Sequence, residues 1–288
     1  MNKAQEIREL LKESGTVIMP GVYDALTARI GARAGCRILF ITGYSVSATY
    51  LGEPDFGLLT QSEMMEAARR ICRVVETPVV VDVDTGYGNA INVMRTVKEV
   101  MAAGAAGIFL EDQVWPKRCG HMKGKQVIPL EEYLQKLKAA RDARAGGDLF
   151  IVARTDARQA HGIEEAIRRG RMFHEAGADA VFIEAPESID EMKEIARSVP
   201  GPLVANMIER GATPLLSLEE LRALGFHLIV WPLAPLYAAA KALNDVYSSL
   251  SRQGTTQGIL ERLISFDEFH EIVGLQEKYA MDQKYRAT

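Results

Sequence analysis

Asp82 and Asp84 stand two apart at the close of the apolar run PVVVDV, and residues two apart on a strand project from the same face. Neighbouring carboxylates repel, so both stay ionised only beside a counter-charge. A divalent cation would supply it. Hard carboxylate oxygens with no Cys or paired His nearby favour Mg²⁺ over Zn²⁺, with Mn²⁺ as the alternative ion. Glu111, ending a later apolar run, is placed to complete the shell directly or through water. A second cluster follows: Lys117-Arg118-Cys119-Gly120-His121, in a polar stretch where Gly124 lies between Lys123 and Lys125. A thiol among bases and glycines is not a core filler. The neighbouring cations are expected to draw its pKa toward neutrality, the range useful to a group that gives or takes a proton. No second Cys or paired His lies at zinc-ligand spacing. Cys36 (AGCRILF) and Cys72 (RRICRVV) have apolar neighbours and read as core.

These groups need a frame. Short, β-branched-rich apolar runs recur at Thr16–Met19, Arg37–Ile41, Pro78–Val83, Gly107–Glu111, Leu149–Ala153, Ala180–Glu184, Pro202–Ala205 and Leu228–Trp231. They are nearly continuous rather than alternating, as in strands covered on both faces. Helical stretches rich in Ala, Glu, Arg and Leu lie between them, such as Asp24–Ala34, Gln61–Val75, Ala90–Ala103, Leu130–Ala143, Ile163–Ala176 and Leu218–Leu224. Glycines at Gly35, Gly104, Gly177 and Gly225 close helices ahead of new strands. One helix per strand predicts a parallel sheet, and eight such units predict a closed (β/α)8 TIM-type barrel. A doubly wound sheet would want a Gly-rich phosphate loop, and TGYG at Thr85–Gly88 lacks the GxGxxG spacing. After the eighth strand, Ala234–Leu250 reads as a helix, SRQGTTQG as a loop and Leu260 to about Tyr285 as helical. The expectation is one domain over 1–288, with 234–288 a C-terminal helical extension lying on its own barrel or across a partner subunit.

In such a barrel the chemistry sits at the C-terminal strand ends. Here the runs hand over to Thr42-Gly43-Tyr44-Ser45, Asp82 and Asp84, Glu111-Asp112, Arg154-Thr155-Asp156, Glu184 and Asn206. Any one of these can cap a helix, and Arg154 can simply pair with Asp156. Six strands doing so together point to an active site. Composition narrows the class. The 288 residues carry 34 Lys+Arg against 38 Asp+Glu, a net charge of −4 that excludes a strongly basic nucleic-acid binder. Three cysteines do not make a disulfide framework and suit a reducing cytosol. The opening MNKAQEIRELLKESG reads as a charged amphipathic helix without the apolar core of a signal peptide, and no run is long enough to span a membrane. The expected protein is soluble and cytoplasmic, and it binds a small molecule.

The motifs DVDTGYG, EDQVWPKRCGHMKGK, ARTDA, EAP and ANM, in that order, resemble the isocitrate lyase/phosphoenolpyruvate mutase superfamily from about Pro20 to beyond Trp231. KRCGH marks its lyase branch, and TGYSVSATYLGEPDFGLL resembles the 2-alkylmalate lyase and oxaloacetate hydrolase group. The resemblance implies an α/β barrel whose C-terminal helix is swapped between subunits of a homotetramer. It also implies Mg²⁺, a mobile loop bearing KRCGH, and cleavage of a C–C or P–C bond beside a 2-oxo or 2-hydroxy acid. Asp82 and Asp84 would then hold Mg²⁺, with Asp55 and Glu111 in the same shell through water. Thr42, Gly43, Tyr44 and Ser45 would line the 2-oxo-acid carboxylate. Arg154 would contact substrate oxygens, with Glu184, Asn206 and Gly120 around the substrate and Cys119 as acid/base. Methylisocitrate lyases carry an arginine where this chain has Tyr237, and glycine where it has Tyr44. A malate-type dicarboxylate is therefore expected over a tricarboxylate. The expected reaction is retro-aldol cleavage to a 2-oxo acid and a simple carboxylate. Tyr44 or a water on the cation would be the base. Arg154, Lys117 and His121 would steady the enediolate, and Cys119 would protonate it. Gly120 and Gly124 suit a loop that opens and closes. Oxaloacetate hydrolysis, methylisocitrate cleavage and phosphonopyruvate- or phosphoenolpyruvate-type chemistry are the alternatives, and a catalytically silent barrel is the non-enzymatic one.

Overall fold

Each of the eight apolar runs is a strand hydrogen-bonded in parallel to the next in chain order, and the last pairs with the first: Val17 lies opposite Leu228. The computed structural model describes residues 2–122, 124–144 and 147–286; Lys123 of the basic loop lies outside them. The strands are β1 (Val17–Val22), β2 (Leu39–Ile41), β3 (Val79–Asp82), β4 (Gly107–Glu111), β5 (Phe150–Thr155), β6 (Ala180–Ile183), β7 (Leu203–Asn206) and β8 (Leu228–Trp231). β5 runs two residues past its expected end because Arg154 pairs in register with Glu111 of β4 and Thr155 with Ile183 of β6. Arg154 is therefore held by a strand rather than by a loop.

Both strand faces are buried, which explains the unbroken apolar runs. One set, including Met19, Phe40, Val80, Phe109, Val152, Phe182 and Val230, forms a cluster inside the barrel. The other, including Val22, Ile41, Val81, Ile108, Ile151 and Ile229, packs beneath the helices. Inside, Phe109 touches Phe40 and Phe182 at centroid distances of 4.6 and 5.8 Å. These rings lie directly under the site. The N-terminal helix Lys3–Ser14 adds Ala4, Ile7, Leu10 and Leu11 to the interior cluster. Its Arg8 pairs with Asp148 at 2.6 Å and Asp179 at 3.0 Å. The expected amphipathic segment thus closes one end of the barrel, and the chemistry is left to the other.

The helices between strands begin where capping residues predict. Asp24, Thr60, Asn89 and Ser217 each form a reciprocal capping box. The helix after β8 covers Ala234–Gln253, so Ser251, Arg252 and Gln253 of the expected loop are helical, and Gly254 in left-handed conformation ends it. The expected stretch from Leu260 is two helices, Phe266–Val273 and Leu275–Tyr285, broken at Gly274 with φ 73°. The first lies against the helix Ala25–Arg33, where Arg33 pairs with Glu271 at 2.6 Å. These C-terminal helices leave Leu243, Tyr247, Phe266, Tyr279 and Met281 exposed. Among the described residues no helix is long and apolar enough to cross a membrane.

Candidate active site

The paired aspartates converge, but not as two residues of one strand. β3 ends at Asp82. Asp84 sits in the following turn at φ 49°, and its N–H donates to Asp82 Oδ1 at 3.2 Å. The turn, not the strand repeat, brings the carboxylates together. Just past β2, the Gly43 N–H donates to Asp82 Oδ2 at 3.2 Å. A Cβ on Gly43 would stand 3.0 Å from that oxygen, so a side chain there would push the cluster apart. Lys117 sends its ammonium into the group, 2.6 Å from Asp55 Oδ1 and 2.7 Å from Asp84 Oδ1. Glu111 meets Arg154 Nε at 3.3 Å.

This is an excess of negative charge, buried at Asp55, Asp84 and Glu111 and half-buried at Asp82. Asp55, Asp82, Asp84 and Glu111 share Lys117 and part of Arg154. Burial pushes the Asp84 carboxyl up to about 7; Lys117 opposes the rise, and Asp82 and Asp55 add to it. Burial likewise lifts Glu111 well above the carboxylate range, despite Arg154. Asp84 Oδ1 pairs with the Lys117 ammonium but accepts no hydrogen bond, and buried Glu111 Oε1 also has none. Among the described residues no three Asp, Glu, His or Cys side chains converge as a ready metal cage. The hard oxygens of Asp82 and Asp84, brought together by the turn and with Asp84 Oδ1 and Glu111 Oε1 left without hydrogen bonds, fit an ion that takes one or two carboxylates and keeps its waters, which is the habit of Mg²⁺.

Beside the carboxylates, Arg154 is held from several sides. Its Nε and Nη2 donate to Asp156 at 2.8 and 3.1 Å, Nη2 also lies 3.1 Å from Glu184 Oε2, and the guanidinium stacks 5.3 Å over Phe182. His121 Nδ1 accepts from the Ala212 N–H at 3.0 Å, and its Nε2 lies 3.2 Å from Glu184 Oε1. Asn206 Nδ2 donates to the same carboxylate at 3.3 Å. Burial would raise Glu184, but Arg154, His121 and Lys125 outweigh it and hold the group well below the ordinary range. Glu184 is thus a fixed anion that orients Arg154, His121 and Asn206.

The expectation for Cys119 is corrected. Burial pushes the thiol up to about 11, and the Asp55 charge adds to the rise. The basic side chains next to it in sequence are turned elsewhere: Lys117 to Asp55 and Asp84, His121 to Ala212 and Glu184. The loop is not a solvated basic segment either, because Lys117 and Lys125 are buried. It is fastened to the barrel top by the Cys119 N–H, which donates to the Asp55 carbonyl at 3.2 Å. At Gly120 a Cβ would stand 2.4 Å from Glu184 and 2.6 Å from Arg154 Nη2. Only a glycine lets the loop lie this close.

Residues 7–251 match the phosphoenolpyruvate phosphomutase family. The chain belongs to the phosphoenolpyruvate mutase/isocitrate lyase superfamily. It is an enzyme, and a lyase. It is 50% identical over 281 residues to the petal death protein of Dianthus caryophyllus, covering 97% of this chain and 88% of that one. It is 47% identical over 285 residues to the 2,3-dimethylmalate lyase of Eubacterium barkeri, covering 99% of each. A crystal structure of a 2,3-dimethylmalate lyase superposes with TM-score 0.92 at 36% identity, covering 99% of this chain and 95% of that one. A phosphonopyruvate hydrolase in complex with oxalate and Mg²⁺ superposes with TM-score 0.89 at 32% identity, covering 99% of both.

In this superfamily member the expected residues fall into two layers. Thr42, Tyr44, Asp55, Asp82, Lys117, Cys119, Gly120, Arg154, Glu184 and Asn206 line one cavity. Gly43, Ser45, Asp84, Glu111 and His121 lie behind its wall; Ser45 turns its hydroxyl toward the Pro232 carbonyl at 3.5 Å. Sequence reasoning missed the apolar part of the lining, Ile208, Pro232 and Leu233 above Phe40, Phe109 and Phe182. Ile208 follows Asn206 by two residues, and that proximity was the available signal. Tyr237 lies beside Tyr44, and burial together with that neighbouring phenol pushes its own phenol up to about 12. Of the other cysteines, Cys72 is buried as expected and Cys36 is half-buried.

Proposed function

We propose that this enzyme cleaves the C2–C3 bond of a 2-hydroxy dicarboxylate of 2-alkylmalate type, giving a 2-oxo acid and a simple carboxylate. The carrying observation is that the Cys119 thiol lines the same cavity as Asp82 and Arg154, where burial pushes its pKa up. Asp82 and Asp84 would hold Mg²⁺, or Mn²⁺, with Asp55 and Glu111 joining through water. Bound there, the ion would acidify the substrate hydroxyl and offset the charge of the adjacent carboxylate. The phosphonopyruvate hydrolase complex with Mg²⁺ and oxalate supports that choice of ion.

The chain's own residues do the rest. Thr42 and Tyr44, on the turn that carries Gly43 and Ser45, flank the carboxylate at C2. Tyr44, which lies beside Tyr237, relays the hydroxyl proton, handing its own proton to solvent as it takes the substrate's; a water in the cavity is the alternative acceptor. As the C2–C3 bond breaks, its electrons pass into the distal carboxylate, and the C2 oxygen becomes a carbonyl. Arg154 and Lys117 lie beside the resulting enediolate, with His121 steadied through Glu184. Cys119 then gives its proton to C3, and the thiolate is reprotonated from the hydroxyl proton or from solvent. Against the tricarboxylate reading, the wall formed by Ile208, Pro232, Leu233 and Tyr44 offers no cation to a third carboxylate.

The exposed apolar side chains of the C-terminal helices support burial against other copies of the chain, in a homotetramer built from one-domain subunits. Three free cysteines suit the cytosol. The deciding experiment offers the enzyme, with Mg²⁺, a series of 2-alkylmalates, 2-methylisocitrate, oxaloacetate and phosphonopyruvate, with products followed by NMR. A 2-alkylmalate should give the highest kcat/KM. A preference for any of the other three would overturn the assignment.

A further inference from the structure

The loop carries a second buried lysine that the mechanism leaves unused. The Lys125 side chain is fully enclosed, its Nζ 2.6 Å from Asp156 Oδ1, and it also donates to the Gly120 carbonyl. Asp156 is the carboxylate that takes two N–H groups from Arg154, and its Oδ1 accepts from Lys125 and from Arg154 Nη2 together. Asp156 is fixed in turn from beneath. Its own N–H donates to Asp112 Oδ1 at 2.9 Å, and Asp112 Oδ2 accepts from Thr155 Oγ1 at 2.7 Å and from Arg169 at 2.8 Å. One ammonium therefore joins the carbonyl next to Cys119 to the carboxylate that aims Arg154. Neither charge can be left alone in this interior without a large penalty. Moving the loop away would strip Asp156 of one cation, and dislodging Asp156 would free Lys125 and with it the Gly120 carbonyl.

The geometry points to Lys125 as a positioning residue that makes the seating of Cys119 over the cavity and the aiming of Arg154 a single event. The inference rests on the reading in which Cys119 and Arg154 act on the substrate. It gives that reading a means of keeping the acid and the cation in register, and Lys125 itself need not touch substrate.

The test is Lys125→Met in the full chain with Mg²⁺. Misplacing groups by about 1 Å costs about 100-fold in rate, so kcat should fall by about 100-fold and KM should rise with it. Cys119→Ser should by contrast lower kcat at unchanged KM. The second readout is tryptic cleavage after Arg118 with and without oxalate. Oxalate should slow the cut in the parent enzyme and leave it unslowed in Lys125→Met. A variant that keeps oxalate protection, or loses less than about threefold in kcat, overturns the inference. Should Lys125→Met fail to fold, Lys125→Ala is refolded and assayed with added propylamine. Restored protection supports the inference, and no restoration overturns it. Failure of the parent enzyme on every 2-alkylmalate would instead remove the functional reading, while the oxalate protection test could still be read.

Discussion

Cys119→Ala removes a proton donor from a position where the proton is always present. With its thiol pushed up to about 11, about one molecule in a thousand carries a thiolate at pH 8. No activity is therefore masked by ionisation, and the whole worth of the acid should appear in the mutant. General acids contribute about 10²–10⁴-fold. At about 1.36 kcal/mol per tenfold, that is a barrier increase of about 3–5 kcal/mol. KM should stay within about threefold, because the thiol acts on a carbon that becomes basic only as the bond breaks. The assay follows the 2-oxo acid through coupled reduction, in the parent and the mutant, across pH. The sign is fixed by the direction of the shift. An acid works only while protonated, so the thiol-dependent limb of kcat should be flat through neutrality and fall only as pH nears about 11. A limb falling near pH 7 in the parent and absent from the mutant would show that the flanking bases, not burial, govern the thiol. A loss in kcat below about tenfold would refute the acid role itself.

Three further outcomes follow from the same geometry. Chelation should abolish turnover, and Mg²⁺ at about 100 times its Kd should stabilise the fold by about 2.7 kcal/mol, read as a rise in Tm; an unchanged Tm would count against the Asp82/Asp84 site. Gly120→Ala should lower kcat by about 100-fold or more with little change in Tm, because its Cβ would lie 2.4 Å from Glu184 and force the loop outward; near-normal kcat would show that the loop has another working position. Arg169→Met should cost about 3–5 kcal/mol in urea unfolding, because it leaves the wholly buried Asp112 carboxylate short of its ion-pair partner; a loss below about 1 kcal/mol would mean that Thr155 and the Asp156 N–H suffice.

The barrel was legible because its signals are local. Strands buried on both faces leave unbroken apolar runs, and Gly35, Gly104, Gly177 and Gly225, all at positive φ, close helices within the chain itself. The carboxylates were legible for a different reason from the one first available. Asp82 and Asp84 do meet, but through a turn at positive φ, and strand periodicity carries no information about that. Cys119 shows the limit of reading neighbours along a chain. Its basic neighbours are real, but Lys117 and His121 project onto Asp55, Asp84 and Glu184, which lie 33 to 63 residues away from them. What remains near the sulfur is burial and an anion, so the sign of the pKa shift reverses. The Lys125–Asp156 pair spans 31 residues and was hidden for the same reason.

The distribution of backbone strain supports placing the chemistry on this face. The described non-glycine residues at positive φ are Asp84, Tyr87, Ala185 and Arg210. Each follows the C-terminal end of β3, β6 or β7 by two to five residues, and Ala185 directly follows Glu184. A left-handed conformation at such residues costs about 1–3 kcal/mol each and persists only where the surroundings impose it. At Asp84 the constraint is visible: the turn delivers one carboxylate against another and against Lys117. Strain, excess buried charge and hydrogen-bond-free carboxylate oxygens thus coincide at one end of the barrel. The opposite end is closed by the helix Lys3–Ser14, whose Arg8 is matched by Asp148 and Asp179. A fold optimised only for stability would have no reason to concentrate these costs together, and a site that must hold a cation and an anionic substrate does.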